Sequence, residues 1–323
     1  MPLRILADLA LPADAMEALL AGTRTHTLLL PARPAASVLA KGEPDPQLTT
    51  AEVVFGQPDA SALLAASSVR WAQISSAGIT RYDSAAFRDG ARARGLMLSN
   101  SSSVYEEACA VHGLSFLLAH ARQLPRGLAT RTPHGSVEWN SLRATSGTLR
   151  DETLLLVGFG AIGRRLAELL RPFGVNLMAF RRRPRGDEGM PVVTEGGLAA
   201  ALSQADHVVN ILPESESTRL FFGEERFGQF RRGATFHNLG RGATVDQSAL
   251  VAALHSGRVG AAWLDVTDPE PLPDDHPLWH APNCFITPHV AGGHAGEAVQ
   301  LVRHFLANLD RFVRGEPLLD RVF

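Results

Sequence analysis

The sequence predicts an α/β fold with parallel sheets, divided into two domains, and three observations lead there. Short apolar, strand-like runs alternate with helical ones along nearly the whole chain, the pattern of strands joined by crossover helices. The 323 residues are enough for two domains of roughly 100–200 residues each. A glycine-rich segment, from Gly158 to Gly163, stands directly between one strand-like run and the helical run after it.

Taken in order, residues 3–7 and 25–30 read as strands. Between them residues 12–20 read as an amphipathic helix, with Pro12 tolerated in the first turn, where its missing N–H has no partner to lose. Residues 53–56, 71–75 and 96–99 are further short apolar strands. The period then changes. Val104, Ala108, Val111, Leu114, Leu117, Leu118 and Ala121 fall at helical spacing, and this long helix is expected to end near Pro125. Residues 130–145 are polar, carry Trp139 and read as a loop. Strands follow at 153–157, 175–180, 207–211, 235–239, 260–266 and 284–287, with helices at 163–170, 198–202 and 297–313. Residues 188–191 and 269–275 are turn-rich, and no internal repeat or low-complexity tract is present.

Composition excludes several chemistries. The formal charge is −2, from 31 basic and 33 acidic side chains, so there is no global field to hold nucleic acid or an anionic membrane. No apolar run reaches the roughly 18–20 residues of a membrane span, and the N-terminus has no signal-peptide pattern. Cys109 and Cys284 are too few for a disulfide framework or a zinc cluster. A cytoplasmic protein is expected. Lys41 is the single lysine, so a GC-rich genome that spells basic residues as arginine is the simple reading. It stands between Ala40 and Gly42, which rules out a Gly-Lys-Ser/Thr phosphate loop and leaves one amine for any Schiff-base chemistry. Neither Tyr82 nor Tyr105 has a lysine four positions on, which excludes the Tyr-x-x-x-Lys pair of short-chain dehydrogenases.

Gly158-Phe159-Gly160-Ala161-Ile162-Gly163 follows a strand and opens a helix. Gly158 permits a tight turn, Gly160 lets backbone approach a pyrophosphate, and Gly163 lets helix pack on strand. The helix start offers unpaired N–H groups and partial positive charge to phosphates. A dinucleotide site is expected. In an NAD site an acidic residue ends the second strand and accepts from the ribose 2′-hydroxyl. Here that strand runs into Arg181, Arg182 and Arg183, which suit a 2′-phosphate, so NADP is expected over NAD. The competing reading is a solvated basic loop.

Three further segments place charged residues just past strand ends, the edge where ligands bind in open α/β sheets. They are Asn238-Leu239-Gly240-Arg241-Gly242-Ala243-Thr244-Val245-Asp246, Asp265-Val266-Thr267-Asp268-Pro269-Glu270-Pro271-Leu272 and Thr287-Pro288-His289-Val290-Ala291-Gly292. An Arg, a Glu and a His beside a nicotinamide fit hydride transfer to a carbonyl next to a carboxylate.

With these segments in this order, the sequence resembles the D-2-hydroxyacid dehydrogenase family over nearly its whole length. The resemblance implies two Rossmann-like domains with the active site in the cleft between them, and usually a homodimer. Residues 1–99 with 290–323 would form a flavodoxin-like substrate-binding domain, and residues 100–289 the dinucleotide-binding domain. By resemblance Arg241 orients the substrate carboxylate and carbonyl, His289 is the general acid, and Glu270 is its carboxylate partner. Asp265 resembles a residue on the nicotinamide side. Leu239 and Gly240 would line the cofactor, and Leu212, Pro213 and Thr218 resemble adenine and ribose contacts. Ala77, Gly78 and Ile79 resemble the substrate-domain loop whose amides hold the carboxylate. The implied activity is NAD(P)H-dependent reduction of a small 2-oxo acid, such as glyoxylate or hydroxypyruvate, to the D-2-hydroxy acid. The alternatives are a reductase of bulkier 2-oxo acids and a nucleotide-sensing, non-catalytic family member.

The chain departs from the family pattern in places. Thr80 stands where the family commonly has Asp, so Arg81 could face the substrate. His112 lies on the long helix where a glutamate is often seen, and reads as a satisfied, partly buried histidine. His294 replaces a frequent threonine. His276 and His280 read as turn residues rather than metal ligands. Trp139 reads as packing, or as a cleft wall lent to a neighbouring subunit. The sequence ends soon after the last helix, with residues 319–323, so no appended regulatory domain is expected.

Overall fold

Two parallel sheets organise the chain. The computed structural model describes residues 1–323, and chain contacts divide them into two units, 1–105 with 293–323, and 106–292. The first unit holds β1 (Arg4–Asp8), β2 (Thr27–Leu29), β3 (Val53–Gly56), β4 (Trp71–Ile74) and β5 (Met97–Ser99), in the order β2-β1-β3-β4-β5. Every pairing is parallel, and this is the flavodoxin-like order. Strands β3 and β4 are buried at every position, which is why they read as continuous rather than alternating apolar runs.

The chain's end returns to this unit through its aromatics. On the helix Glu297–Arg314, Phe305 stacks 4.6 Å from Phe55 and 5.5 Å from Trp71, and Phe312 lies 5.3 Å from Trp71. Beyond the helix, the Val322 amide donates to the Leu98 carbonyl at 2.8 Å, tying the terminal residues to β5.

The second unit holds β6 (Thr153–Val157), β7 (Asn176–Phe180), β8 (Val192–Val193), β9 (His207–Asn210), β10 (Ala234–Asn238), β11 (Val259–Leu264) and β12 (Cys284–Ile286), in the order β12-β11-β10-β9-β6-β7-β8. Counted from β6, the order is that of a dinucleotide-binding sheet with one added edge strand. Direction of winding reverses between β6 and β9, and a crevice opens there beyond the strand ends. One side of the sheet packs on a phenylalanine cluster of Phe222, Phe227, Phe230 and Phe236. No helix is long and apolar enough to cross a membrane.

The structure corrects the reading of residues 104–145. The long helix is Ser102–Ala121 and stops before Pro125. Gln123 then takes a left-handed φ of 53°, and Pro125 sits in the first turn of a second helix, Leu124–Ala129. Residues 137–145, expected as loop, form the helix Val137–Thr145, capped by Ser136 Oγ accepting from the Trp139 amide at 3.2 Å. Neither short helix buries a side chain, so neither has an apolar period to read. Two helices of the first unit, Ala60–Ala65 and Ala85–Ala93, and the two-residue β8 also lay outside the sequence reading.

At the N-terminal edge of the second sheet lies a chain of polar groups, partly exposed at Glu152 and buried beyond it. Glu152 is 2.6 Å from His207 Nε2, His207 Nδ1 is 2.7 Å from Thr235 Oγ1, and Thr235 Oγ1 is 2.9 Å from His237 Nε2. The carboxylate sets the direction: His207 Nε2–H donates to Glu152, so Nδ1 accepts from the Thr235 hydroxyl. That hydroxyl in turn accepts from His237 Nε2–H, which leaves His237 Nδ1 bare, and it has no partner. The His120 ring lies 6.0 Å from that of His207. Asp206 and Arg231, which pair with each other, face the same small cavity. Burial, then His207, pushes His120 down to about 4 against the pull of Glu152. Burial, then His207 and His120, holds His237 well below the ordinary histidine range. Both stay neutral when folded and take a proton near pH 6.5 when unfolded. Their contribution to stability is therefore complete above about pH 6.5 and is lost as pH falls towards 4. The denaturant midpoint is expected to drop between about pH 7 and pH 4.5, with a shallower drop for His120→Gln. A flat profile would contradict the assignment.

Candidate active site

The turn after β6 has the conformation its glycines predict. Gly158 has φ of 98°, and a Cβ there would lie 2.8 Å from the Ile211 carbonyl oxygen beyond β9. A side chain at Gly163 would press on the Gly158 carbonyl at 3.0 Å, so helix Ala161–Leu170 packs close to the strand. A Cβ at Gly160 would meet nothing within 4 Å, which leaves its surface open. Gly160 caps that helix without a side-chain hydrogen bond, so the amides around Ala161 and Ile162 remain for an anion. A cleft of about 630 Å³ lies at this switch point, lined among others by Phe159, Arg181, Arg182, Arg183, Leu212 and Thr218. Open glycine backbone, an uncapped helix start and arginines in one cleft fit a dinucleotide.

The arginines are not equivalent. Arg181 Nη1 is 3.2 Å from Glu188 Oε1, a buried carboxylate. Arg182 Nη1 donates to Ser217 Oγ at 2.7 Å and, like Arg183, is exposed. Thr218 is buried and spends its hydroxyl on its own turn, donating to the Pro213 carbonyl at 2.6 Å. Thr218 therefore shapes the turn that presents Leu212 and Pro213.

The catalytic candidates stand past β10, β11 and β12. Gly242 explains how Arg241 and Glu270 come together. A Cβ at Gly242 would lie 1.9 Å from the Thr267 carbonyl oxygen, so the two segments touch backbone to backbone. Buried Asn210 and Asn238, at the ends of β9 and β10, hold the strand exits. Asn210 Nδ2 donates to Asn238 Oδ1 at 3.0 Å, and Asn238 Oδ1 accepts from the Gly240 amide at 3.1 Å. Leu239 is buried against the long helix at Gly113. Asn210 was missed in the sequence reading; a polar residue ending the buried run His207–Asn210 was its signal.

His289 Nδ1 lies 2.8 Å from Glu270 Oε2. The carboxylate fixes the tautomer, Nδ1 carrying the proton, and directs Nε2 to any reaction. Glu270 Oε1 accepts from the Thr267 amide at 3.0 Å. Burial raises the Glu270 carboxyl, but the His289 hydrogen bond and charge, the Thr267 amide and Arg241 outweigh it. The group is held below the usual carboxylate range.

Asp265 holds the histidine's loop. Its side chain is 2% exposed, and it accepts from Thr287 Oγ1 at 2.6 Å and from the Val290 and Ala291 amides, both at 2.9 Å. Its carbonyl accepts from the His289 amide at 2.8 Å. These bonds surround a histidine with φ of 52°, a left-handed conformation that few non-glycine residues adopt unsupported. His112 Nε2 reaches Thr287 Oγ1 at 3.3 Å and backs the same group. The expected place of Asp265 on the nicotinamide side is thus a backbone-holding one: both carboxylate oxygens are engaged by residues 287–291.

In the first unit, the Ala77 carbonyl accepts from Asn100 Nδ2 at 2.7 Å and the Gly78 carbonyl from Ser76 Oγ at 2.7 Å. The loop is held by its carbonyls, through Ser76 and Asn100. Arg81 is engaged within its own unit. Its guanidinium donates to the Leu39 carbonyl, to the Ala40 carbonyl at 2.6 Å and to Gln57 Oε1 at 3.3 Å, fastening the segment around residue 40.

Asp265→Asn keeps one acceptor but sets an NH2 group against backbone donors. It is expected to cost about 2–3 kcal/mol of stability in urea unfolding, the scale of a lost charged hydrogen bond. Turnover should fall with it. Unchanged stability would show that the carboxylate does not hold the loop.

Comparison with known proteins identifies the family. A family model described as "D-isomer specific 2-hydroxyacid dehydrogenase, NAD binding domain" matches residues 114–291. The human "Glyoxylate reductase/hydroxypyruvate reductase" is 33% identical over 234 residues, 71% of this chain and 71% of its own length. "Glyoxylate/hydroxypyruvate reductase B" of Citrobacter koseri is 35% identical over 246 residues, 74% of this chain and 72% of its own. The crystal structure of a D-isomer specific 2-hydroxyacid dehydrogenase from Xanthobacter autotrophicus Py2, in complex with NADPH and MES, superposes with a TM-score of 0.81 at 25% identity, covering 100% of this chain and 98% of that one. The chain belongs to the D-isomer-specific 2-hydroxyacid dehydrogenase family and is an oxidoreductase that uses a nicotinamide cofactor.

Proposed function

We propose that the enzyme reduces a small 2-oxo acid of the glyoxylate or hydroxypyruvate class to the D-2-hydroxy acid, with NADPH preferred to NADH, and that it works as a homodimer. The observation that carries the chemistry is the 2.8 Å contact between His289 Nδ1 and Glu270, which leaves Nε2 for proton transfer. The relatives named as glyoxylate/hydroxypyruvate reductases support the substrate class. Arg182 and Arg183, exposed in the cleft, and the NADPH bound to the Xanthobacter protein support the cofactor preference. For the dimer, Leu128 and Val137 stand 85% and 88% exposed on helices that bury nothing of their own. A second copy of the chain would cover them.

Residues from Gly158 to Gly163 would hold the pyrophosphate, and Leu212, Pro213 and Thr218 the adenosine side, with Leu239 and Gly240 toward the nicotinamide. When bound, the cofactor supplies a hydride to the carbonyl carbon. Arg241 pairs with the substrate carboxylate; such a pair at about 4 Å is worth roughly 4 kcal/mol at an effective dielectric near 20, before desolvation. In the first unit, the amides of Ala77, Gly78 and Ile79 suit a carboxylate. As negative charge grows on the carbonyl oxygen, His289 Nε2 donates its proton, and Glu270 balances the imidazolium that precedes transfer. In the reverse direction neutral His289 accepts the proton.

His289→Ala is expected to lower kcat by about 100-fold or more, the usual worth of general acid catalysis. A near-normal kcat would remove His289 from the mechanism. Because Glu270 stays ionised below the usual carboxylate range, its support persists through the mildly acidic range. Glu270→Gln should therefore move the alkaline loss of reductase activity to lower pH, and an unshifted profile would count against the pair. A screen of 2-oxo acids with NADPH and NADH tests the substrate class. Failure to oxidise either cofactor with any of them would favour a nucleotide-sensing role.

A further inference from the structure

The turn after β7 reads Arg181-Arg182-Arg183-Pro184-Arg185-Gly186-Asp187-Glu188, four cations followed by two acids. Acids facing the cleft would oppose a phosphate, and the fold engages both elsewhere. The Glu188 side chain is 3% exposed and accepts from the Arg185 amide at 2.7 Å, the Gly186 amide at 2.9 Å and Arg181 Nη1 at 3.2 Å. Asp187 is taken by Arg164 on the helix that follows the glycine loop: Nη2 reaches its carboxylate at 2.9 Å and Nη1 its carbonyl at 3.1 Å. The Arg164 guanidinium also lies 5.2 Å from the centre of the Phe159 ring. The arginine turn is thus closed on itself by Glu188 and tied to the glycine loop by Asp187. Arg181 has its charge matched by this buried carboxylate through Nη1, and drawing it fully onto a phosphate would weaken that pairing.

We propose that Glu188 is a positioning residue for cofactor discrimination. By holding Arg181 and two amides of the turn, it sets Arg182 and Arg183, rather than Arg181, to meet a 2′-phosphate. This rests on the NADPH preference proposed above. Arg181, at the position where an NAD site carries its acid, then serves as a strut and its charge is already balanced. Ser217 Oγ, which accepts from Arg182, gives that side chain a second point of support.

The test is calorimetric titration of NADP+ and NAD+ into wild type, Glu188→Ala, Arg181→Ala, the double variant and Arg182→Ala, with circular dichroism to confirm folding. Glu188→Ala and Arg181→Ala are each expected to weaken NADP+ by about tenfold, the scale of one charge-assisted contact, with NAD+ changed less than about twofold. The double variant should be no worse than either single one, because the two act as one unit. Arg182→Ala should weaken NADP+ at least as much. If Arg181 were itself the phosphate ligand, Glu188→Ala would free it, and NADP+ would bind as tightly as to wild type or more tightly; that result overturns the proposal. Should the alanine variant not fold, Glu188→Gln keeps an oxygen for one of the two amides and the side-chain volume while removing the charge. It is expected to weaken NADP+ selectively, and tighter binding overturns the proposal in the same way. A wild type that binds NAD+ as tightly as NADP+ overturns the cofactor preference itself, and is distinguishable because it shows before any substitution.

Discussion

The buried carboxylate of Asp265 is the interaction on which the catalytic edge of the second unit depends. It directly follows β11 and receives the Thr287 hydroxyl and the amides of Val290 and Ala291, while its carbonyl receives the His289 amide. Four bonds converge on one residue, and together they hold His289 at a positive φ that its own side chain disfavours. The His289 ring can then meet Glu270. A carboxylate suits this task because it accepts several donors at once and has no proton of its own to place. Loss of the loop would cost the proposed mechanism its acid even with the Arg241, Glu270 and His289 side chains all present.

Around this centre, proximity is achieved by backbone meeting backbone. Gly242 lies against the Thr267 carbonyl and Gly158 against that of Ile211, at separations no Cβ tolerates. Each contact joins two strand exits. The first links the Arg241 segment to the one bearing Glu270, and the second links the glycine loop to the exit of β9 at the switch point. The side chains used for chemistry are therefore placed by main chain, which moves less than side chains do. The paired asparagines Asn210 and Asn238 serve the same purpose one step back, since each satisfies amides that a loop at a strand end would otherwise leave open.

What was legible in the sequence follows from this. Residues whose type is dictated by backbone geometry, such as Gly158, Gly163 and Gly242, sit at fixed offsets and could be read, and the buried strands announced themselves by apolar runs. The helix Val137–Thr145 could not be read in this way, because it buries no side chain and its sequence lacks an apolar face. Its capping serine, Ser136, was the one local signal. Two-residue β8 is too short for a period. The partners of charged groups were also out of reach. Arg81 stands beside the expected substrate loop and by sequence could face a substrate; its partners in the structure, near residue 40, come from a distant part of the chain. Nothing local to Asp265 told that its oxygens would be claimed by residues more than twenty positions on.

Arginine shows why residue type and position do not by themselves assign a role. With one lysine in the chain, guanidinium groups do the structural pairing as well as any anion binding. Arg164, Arg165, Arg181, Arg226 and Arg231 each face a carboxylate of the chain itself. A guanidinium so engaged has its charge compensated and its geometry set, and adds little field to a cleft beyond its near neighbours. The arginines available to a ligand are those whose donors are not already matched by an acid. Arg241 meets that condition: its Nη1 donates to the Gly240 carbonyl, a neutral acceptor, and no acid forms an ion pair with it, which suits the substrate-carboxylate role proposed for it. In the arginine turn the same accounting separates Arg181 from its two neighbours, which the sequence alone ranks as equals.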